Sequence, residues 1–204
     1  GDLVYEQNPY ANYIVQLPTQ DPQGRLKLMP VPIARSQDIS LGYLPFTQSN
    51  LIKQSFKFLG ERYGWGHDYN GRDCTGFVGE IYKSLGLFMP RNSGQQGKGS
   101  YGNNTRFSNT MAKKDKLPAI NAMKVGDLIY ISGHVMMVLG FDHGKPYVIH
   151  DVHGLSYFLP NNTLYKGKLN GVSVTPLLPL QLSKTTSYLD NIYNIKRIEM
   201  PESN

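Results

Sequence analysis

Apolar and polar positions alternate with a strand's period at the start of the chain. Asn12–Leu17 and Arg25–Met29 read as two β segments, parted by Pro18 and the turn residues Asp21-Pro22-Gln23-Gly24. Pro30 and Pro32 cannot donate to a ladder, so they confine the second segment to a sheet edge. The stretch is too short to close a barrel by itself. The period then lengthens. Thr47-Gln48-Ser49-Asn50 offers helix caps, Ile52, Phe56 and Leu59 share one helical face, and Gly60 stops the run. A glycine-rich loop reaches Gly71. Phe77, Val78, Ile81, Tyr82 and Leu85 form a wide apolar stripe that predicts a second helix, closed by Gly86. Residues 90–126 are polar and carry neither period, which predicts a long loop of the kind that often bears function. Apolar runs of strand length follow at Asp127–Ile131 and His134–Leu139. Asp142-His143-Gly144 predicts a hairpin turn and Pro146–His150 the return strand. Gly171–Thr175 and Ile192–Met200 are later strand candidates, and no internal repeat is visible.

Composition narrows the function classes. A chain of 204 residues, 40% hydrophobic, can pack one ordinary domain with a small appendage. Lys and Arg number 21 against 15 Asp and Glu, a net charge of +6 spread along the chain. The longest basic run, Lys113-Lys114-Asp115-Lys116, is short, holds its own acid and reads as a solvated loop, so no nucleic-acid arm is expected. The positive balance suits acidic polymers, a bacterial cell wall among them. No apolar run approaches the ~20 residues of a membrane span. The start Gly1-Asp2, with no signal segment in this chain, suits a mature or trimmed product. The 14 Tyr, 21 Gly and 13 Pro suit a loop-rich extracellular or carbohydrate-associated protein.

Cys74 is the sole cysteine, which excludes an internal disulfide and a thiolate metal site. It falls at the start of the second predicted helix. There, unpaired N–H groups and the helix dipole favour the thiolate, and the same groups can hold an oxyanion. Thr75-Gly76 keeps the backbone there accessible. A nucleophilic thiol needs a base, for which histidine is best matched near neutral pH. His67 lies in the loop before the cysteine and His143 in a solvated turn. His134 opens an apolar strand, an unexpected place for a polar side chain, and His150 ends the facing strand. Their even separation puts them on one sheet face if the hairpin loop has three or five residues. A two-residue turn at His143-Gly144 would instead bring Asp151 or His153 to that face. We take His150 as the residue that orients His134, with Asp151 and His153 in reserve.

These residues sit in motifs that resemble the NlpC/p60 cell-wall cysteine peptidases: Tyr63-Gly64-Trp65-Gly66, Asp73-Cys74-Thr75-Gly76-Phe77-Val78, Met89-Pro90-Arg91-Asn92-Ser93, Gly126-Asp127-Leu128-Ile129-Tyr130 and Gly133-His134-Val135. The resemblance runs from about Tyr63 to His150. It implies an α+β, papain-like core of helices on an antiparallel sheet. It also implies cleavage of peptidoglycan stem peptides or muropeptides, commonly between γ-D-glutamate and a diamino acid. Cys74 would be nucleophile, His134 base and His150 third member. Asp73 would bind a free substrate amino terminus, Tyr63 would sit at the oxyanion or substrate side, and Ser93 would line the groove. Thr75 stands where serine is usual and adds a methyl beside the nucleophile at the substrate side. His67 replaces a usual glycine, and about four extra residues lengthen the hairpin before His150. Asp73 is also a favoured N-cap, Arg91 is expected to pair with a surface acid, and Trp65 and Phe77 are expected to pack.

Residues 1–45 are similar to part of a bacterial SH3-like module, with the peptidase domain at 46–204. Neither metal nor organic cofactor is implied. A monomer in the bacterial cell envelope, periplasmic or extracellular, is expected. The rivals are an amidase cutting the sugar–peptide bond or an acyltransferase on the same core, and an inactive wall-binding module.

Overall fold

The computed structural model describes residues 3–4 and 12–199. The chain divides into two compact units, residues 1–43 and 44–204. The first holds an antiparallel sheet of β1 (Leu3–Val4), β2 (Tyr13–Gln20) and β3 (Leu26–Ile33), in that order. Pro30 and Pro32 lie in β3, an edge strand, as their missing N–H groups demand. The β2–β3 turn is fastened by Asp21, whose carboxylate accepts the backbone N–H groups of Gln23 and Arg25.

The second unit is α+β, in agreement with the sequence. Its helices are α1 (Gln48–Phe56), α2 (Cys74–Ser84), α3 (Ser93–Lys98), α4 (Lys113–Asn121) and α5 (Tyr188–Asn191). Its strands are β4 (Asn103–Arg106), β5 (Leu128–Ile131), β6 (His134–Asp142), β7 (Lys145–Phe158), β8 (Leu164–Pro176) and β9 (Asn194–Arg197). They form one antiparallel sheet in the order β4-β9-β5-β6-β7-β8.

The stripe predicted for α2 is its buried face. Phe77, Val78, Ile81, Tyr82 and Leu85 pack with Val135, Met137 and Ile149 of the sheet. Phe58 meets Phe77 edge to face at 5.8 Å, and the Tyr82 hydroxyl donates to the Gly126 carbonyl. On the other face Met136, Val138 and Val148 pack with Ile120 of α4 and Leu189 of α5. Covered on both sides, β5 is buried at every position, which explains its uninterrupted apolar run.

Three expectations need correction. Thr47 caps α1, but the helix ends at Phe56 and buries Leu51 and Ser55, while Phe56 and Leu59 are exposed. The inward face is set by Leu51 packing on the α2 core rather than by the larger side chains. Residues 90–126 are no bare loop: they hold α3, β4 and α4. Their anchors are polar, which is why periodicity is silent. The buried Lys116 ammonium donates to the carbonyls of Leu189, Asp190 and Ile192, and Asn194 donates to Gly97 and Asn104. The strands β7 and β8 also run well beyond the segments predicted from apolar runs.

Candidate active site

Asp73 starts α2. Its carboxylate accepts the Gly76 N–H at 2.8 Å, which caps the helix and places Cys74 at the first helical position. The same carboxylate accepts the Thr75 hydroxyl at 2.9 Å, the Gly66 N–H at 3.2 Å and both terminal nitrogens of Arg91, at 3.1 and 2.7 Å. Arg91 also donates to the Thr75 hydroxyl at 2.6 Å and lies 3.3 Å from His67 Nδ1. Burial alone would raise the Asp73 pKa. The Arg91, Gly76 and Thr75 hydrogen bonds outweigh it and hold the carboxyl at about 2. Asp73 therefore joins the α2 start, the 65–70 turn and the Arg91 loop. His67 in that turn has φ +73°, the left-handed region a glycine occupies without strain.

Cys74 is 7% exposed. The backbone N–H groups of Val135, the residue after His134, and of Thr75 favour its thiolate form. Burial works against the helix terminus here. Burial dominates and pushes the thiol up to about 11; the Asp73 and Asp151 charges add to the rise, and the two N–H groups only moderate it. Desolvating an anion costs more here than a few aligned dipoles return.

His134 Nε2 lies 2.9 Å from His150 Nδ1, with ring centroids 5.1 Å apart. His150 Nε2 lies 3.0 Å from the Thr175 hydroxyl on β8. Burial lowers His134 to about 4. Burial, and then the proximity of His134, lower His150 well below the usual histidine value. Both shifts favour neutral rings near pH 7. The two histidines meet by a route that parity alone does not anticipate. The β6–β7 turn is the two-residue His143-Gly144, with Asp142 paired to Lys145. A register shift between Val138 and Gly140 leaves Leu139 as an extra residue, so Met137 pairs with Ile149. The bulge restores the facing that the turn had reversed.

The two reserve residues lie elsewhere. His153 Nδ1 is 3.1 Å from Asn170 Oδ1. Asp151 pairs with Val172 in the ladder, and both its carboxyl oxygens are buried without a hydrogen-bond partner among the described residues. Burial, then the charges of Glu61 and Asp73, raise it to about 7, with Arg72 opposing.

Tyr63 is held by its N–H to the Asn170 carbonyl at 3.0 Å, in a segment that runs along β8. Burial raises its hydroxyl pKa, and Cys74, Asp73 and Asp151 add to the rise. Ser93 opens α3, where its carbonyl meets the Tyr193 hydroxyl at 3.5 Å. A groove of about 720 Å³ runs past Gly94, Ser132, Gly133 and Tyr193, next in sequence to Ser93 and His134. Trp65 is exposed while Phe77 is fully buried, so only one of the two aromatics packs as expected. Two features escaped the sequence reading. Arg91 pairs with the capping acid itself rather than a surface one. Thr175, a hydroxyl within the apolar run Gly171–Thr175, was the available signal for a partner to His150.

The sequence profile of the NlpC/P60 family matches residues 60–174. The curated protein "Probable endopeptidase p60" of Listeria innocua is 34% identical over 114 residues, 52% of this chain and 22% of that protein. The gamma-D-glutamyl-L-lysine dipeptidyl-peptidase of Bacillus subtilis is 29% identical over 101 residues, 49% of this chain and 29% of that protein. The chain thus spans under a third of either relative. Among solved structures, an NlpC/P60 endopeptidase from Photobacterium damselae subsp. piscicida superposes with a TM-score of 0.64 at 16% identity, over 95% of this chain and 50% of that one. An NlpC/P60 family protein from Bacillus cereus gives 0.53 at 23% identity, over 96% and 52%. Both show the fold. With the family profile spanning more than half its length and this fold beneath it, the chain belongs to the NlpC/P60 family.

Proposed function

We propose that this protein is a cysteine peptidase that hydrolyses peptidoglycan stem peptides at the bond between γ-D-glutamate and a diamino acid, through a thioester on Cys74. The observation that carries this reading is the helix-end thiol. The N–H of Val135, the residue after His134, favours its thiolate form, and His134 is paired to a second imidazole. The relative named for a γ-D-glutamyl-L-lysine bond supports the substrate class.

The resting pair is neutral, so proton transfer accompanies attack. As Sγ bonds the carbonyl carbon, the thiol proton passes to the His134 nitrogen that His150 does not occupy, Nδ1. The imidazolium then gives that proton to the leaving amine, and water hydrolyses the thioester. The N–H groups of Thr75 and Val135, which favour the thiolate, are the backbone donors assigned here to the developing oxyanion. Tyr63 and Ser93 border the substrate. Asp73 and Thr75 are engaged with Arg91 and hold the nucleophile's helix in register, and Asp73 reaches a substrate amine only by sharing that pair. The action belongs in the bacterial cell envelope, on a monomer, with residues 1–45 as an SH3-like segment.

The test is product mass. L-Ala-γ-D-Glu-diaminopimelate and its lysine counterpart, incubated with the protein, should yield L-Ala-D-Glu and the free diamino acid. Cys74→Ala should yield neither while keeping the wild-type circular dichroism. A cut at the lactyl–alanine bond of a muropeptide would make the protein an amidase instead. One observation favours a second reading, a wall-binding module without chemistry: the thiol's burial and its pKa of about 11. Intact muropeptides bound but unchanged by the wild type would establish that reading.

A further inference from the structure

We propose that Thr175 is a positioning residue: its hydroxyl accepts the Nε2–H of His150, fixes that tautomer, and so determines which nitrogen of His134 faces Cys74 with a lone pair. This rests on the reading of Cys74 and His134 as nucleophile and base.

Two neutral imidazoles each carry one N–H and one lone pair. The 2.9 Å contact between His134 Nε2 and His150 Nδ1 needs one proton between them, and the 3.0 Å contact between His150 Nε2 and Thr175 Oγ1 needs another. Only two arrangements satisfy both. In the first, His150 Nε2–H donates to Thr175, His150 Nδ1 accepts from His134 Nε2–H, and His134 Nδ1 is left with its lone pair. In the second every proton is reversed: Thr175 donates to His150 Nε2, His150 Nδ1–H donates to His134 Nε2, and His134 Nδ1 already carries a proton. A base must have somewhere to put the thiol proton, and only the first arrangement gives it a place. The first also survives the transfer. Once His134 holds both protons, its Nε2–H still donates to the lone pair on His150 Nδ1.

Thr175 matters because His150 and Thr175 are both buried, at 0% and 5% exposure, so water is not at hand to take its place. Without the hydroxyl, the first arrangement leaves the His150 Nε2–H, a donor, unpaired in the interior, whereas the second leaves only a lone pair, the less costly of the two. Removing the hydroxyl therefore turns His150 over to Nδ1–H and puts a proton on the wrong side of His134. Thr175 touches neither substrate nor sulfur in this scheme, and its whole effect passes through His150.

The experiment combines kinetics with imidazole nitrogen NMR. Thr175→Val should lower kcat on the γ-D-Glu muropeptide roughly 10- to 100-fold with KM little changed, the span expected from one unpaired buried donor. Thr175→Ser, which keeps the hydroxyl, should recover most of it. In a His150→Asn background the amide oxygen accepts from His134 Nε2–H without a tautomer to fix, so adding Thr175→Val should cost less than threefold. The ¹⁵N shifts of folded wild type should report Nε2–H for His150, and those of Thr175→Val should report Nδ1–H. Equal losses in both backgrounds, or a His150 Nε2–H retained in Thr175→Val, would overturn the proposal and reduce Thr175 to packing. The NMR arm needs no turnover. A protein that cleaves nothing refutes the peptidase reading, while the tautomer measurement still decides the role of Thr175.

Discussion

Asp73→Ala removes the residue on which the site's local geometry converges, and its cost can be reached by two routes. The first counts contacts. Loss of an N-cap carboxylate costs about 1 kcal/mol. Loss of the paired Arg91 hydrogen bonds adds about 1 kcal/mol, because the Arg91 side chain is 45% exposed and its charge is screened. The second route is linkage. A carboxyl held at about 2 instead of 3.8 contributes about 2 kcal/mol at neutral pH, at 1.36 kcal/mol per pH unit. The routes agree, and for a chain of this size about 2 kcal/mol is roughly 4–8 °C in Tm. The sign with pH follows from a depressed acid. The contribution is fully present above the unfolded value near 4 and is lost as pH falls toward 2. Urea unfolding of wild type and variant should therefore show a constant gap from pH 7 to 5 that narrows below pH 4. A gap under 0.5 kcal/mol at pH 7, or one that widens in acid, would refute the convergence of cap, turn and loop on this carboxylate.

Other perturbations test other parts of the account. Asp151→Asn removes a buried negative charge that raises the Cys74 pKa, so iodoacetamide should alkylate the variant several-fold faster than wild type at pH 8.5. At pH 6, where Asp151 is already protonated, the two rates should converge. Phe77→Ala opens a cavity under α2 at a fully buried position and should cost about 3–5 kcal/mol by denaturant titration. Lys116→Met leaves the carbonyls of Leu189, Asp190 and Ile192 without their shared donor. It should cost about 3 kcal/mol and speed amide exchange across α4 and α5 before the rest of the domain.

What the sequence revealed, it revealed through apolar period and turn chemistry. The α2 stripe from Phe77 to Leu85 fell on the buried face, the strands through His134 and His150 were found, and the helix-end position of Cys74 followed from both. Elements held by polar contacts left no such trace. Nothing periodic marks α3 or α4, because Lys116 and Asn194 secure them by hydrogen bonds over long sequence separations. The meeting of His134 and His150 shows a subtler limit. The residue pair was legible, but it depends on a two-residue turn and a bulge at Leu139 that offset one another. The burial that opposes ionisation of Cys74 was hidden for the same reason: helix position is local, while the depth of burial belongs to the whole fold.

The central claim is that the Cys74 sulfur becomes acylated. Acid-quenched turnover of L-Ala-γ-D-Glu-diaminopimelate, followed by intact and peptide-level mass spectrometry, tests it directly. A mass increase equal to the L-Ala-D-Glu acyl group should map to the peptide carrying Cys74 in wild type and be absent from Cys74→Ala. Cleavage that proceeds with no adduct on that peptide, or that persists in Cys74→Ala, would contradict the account.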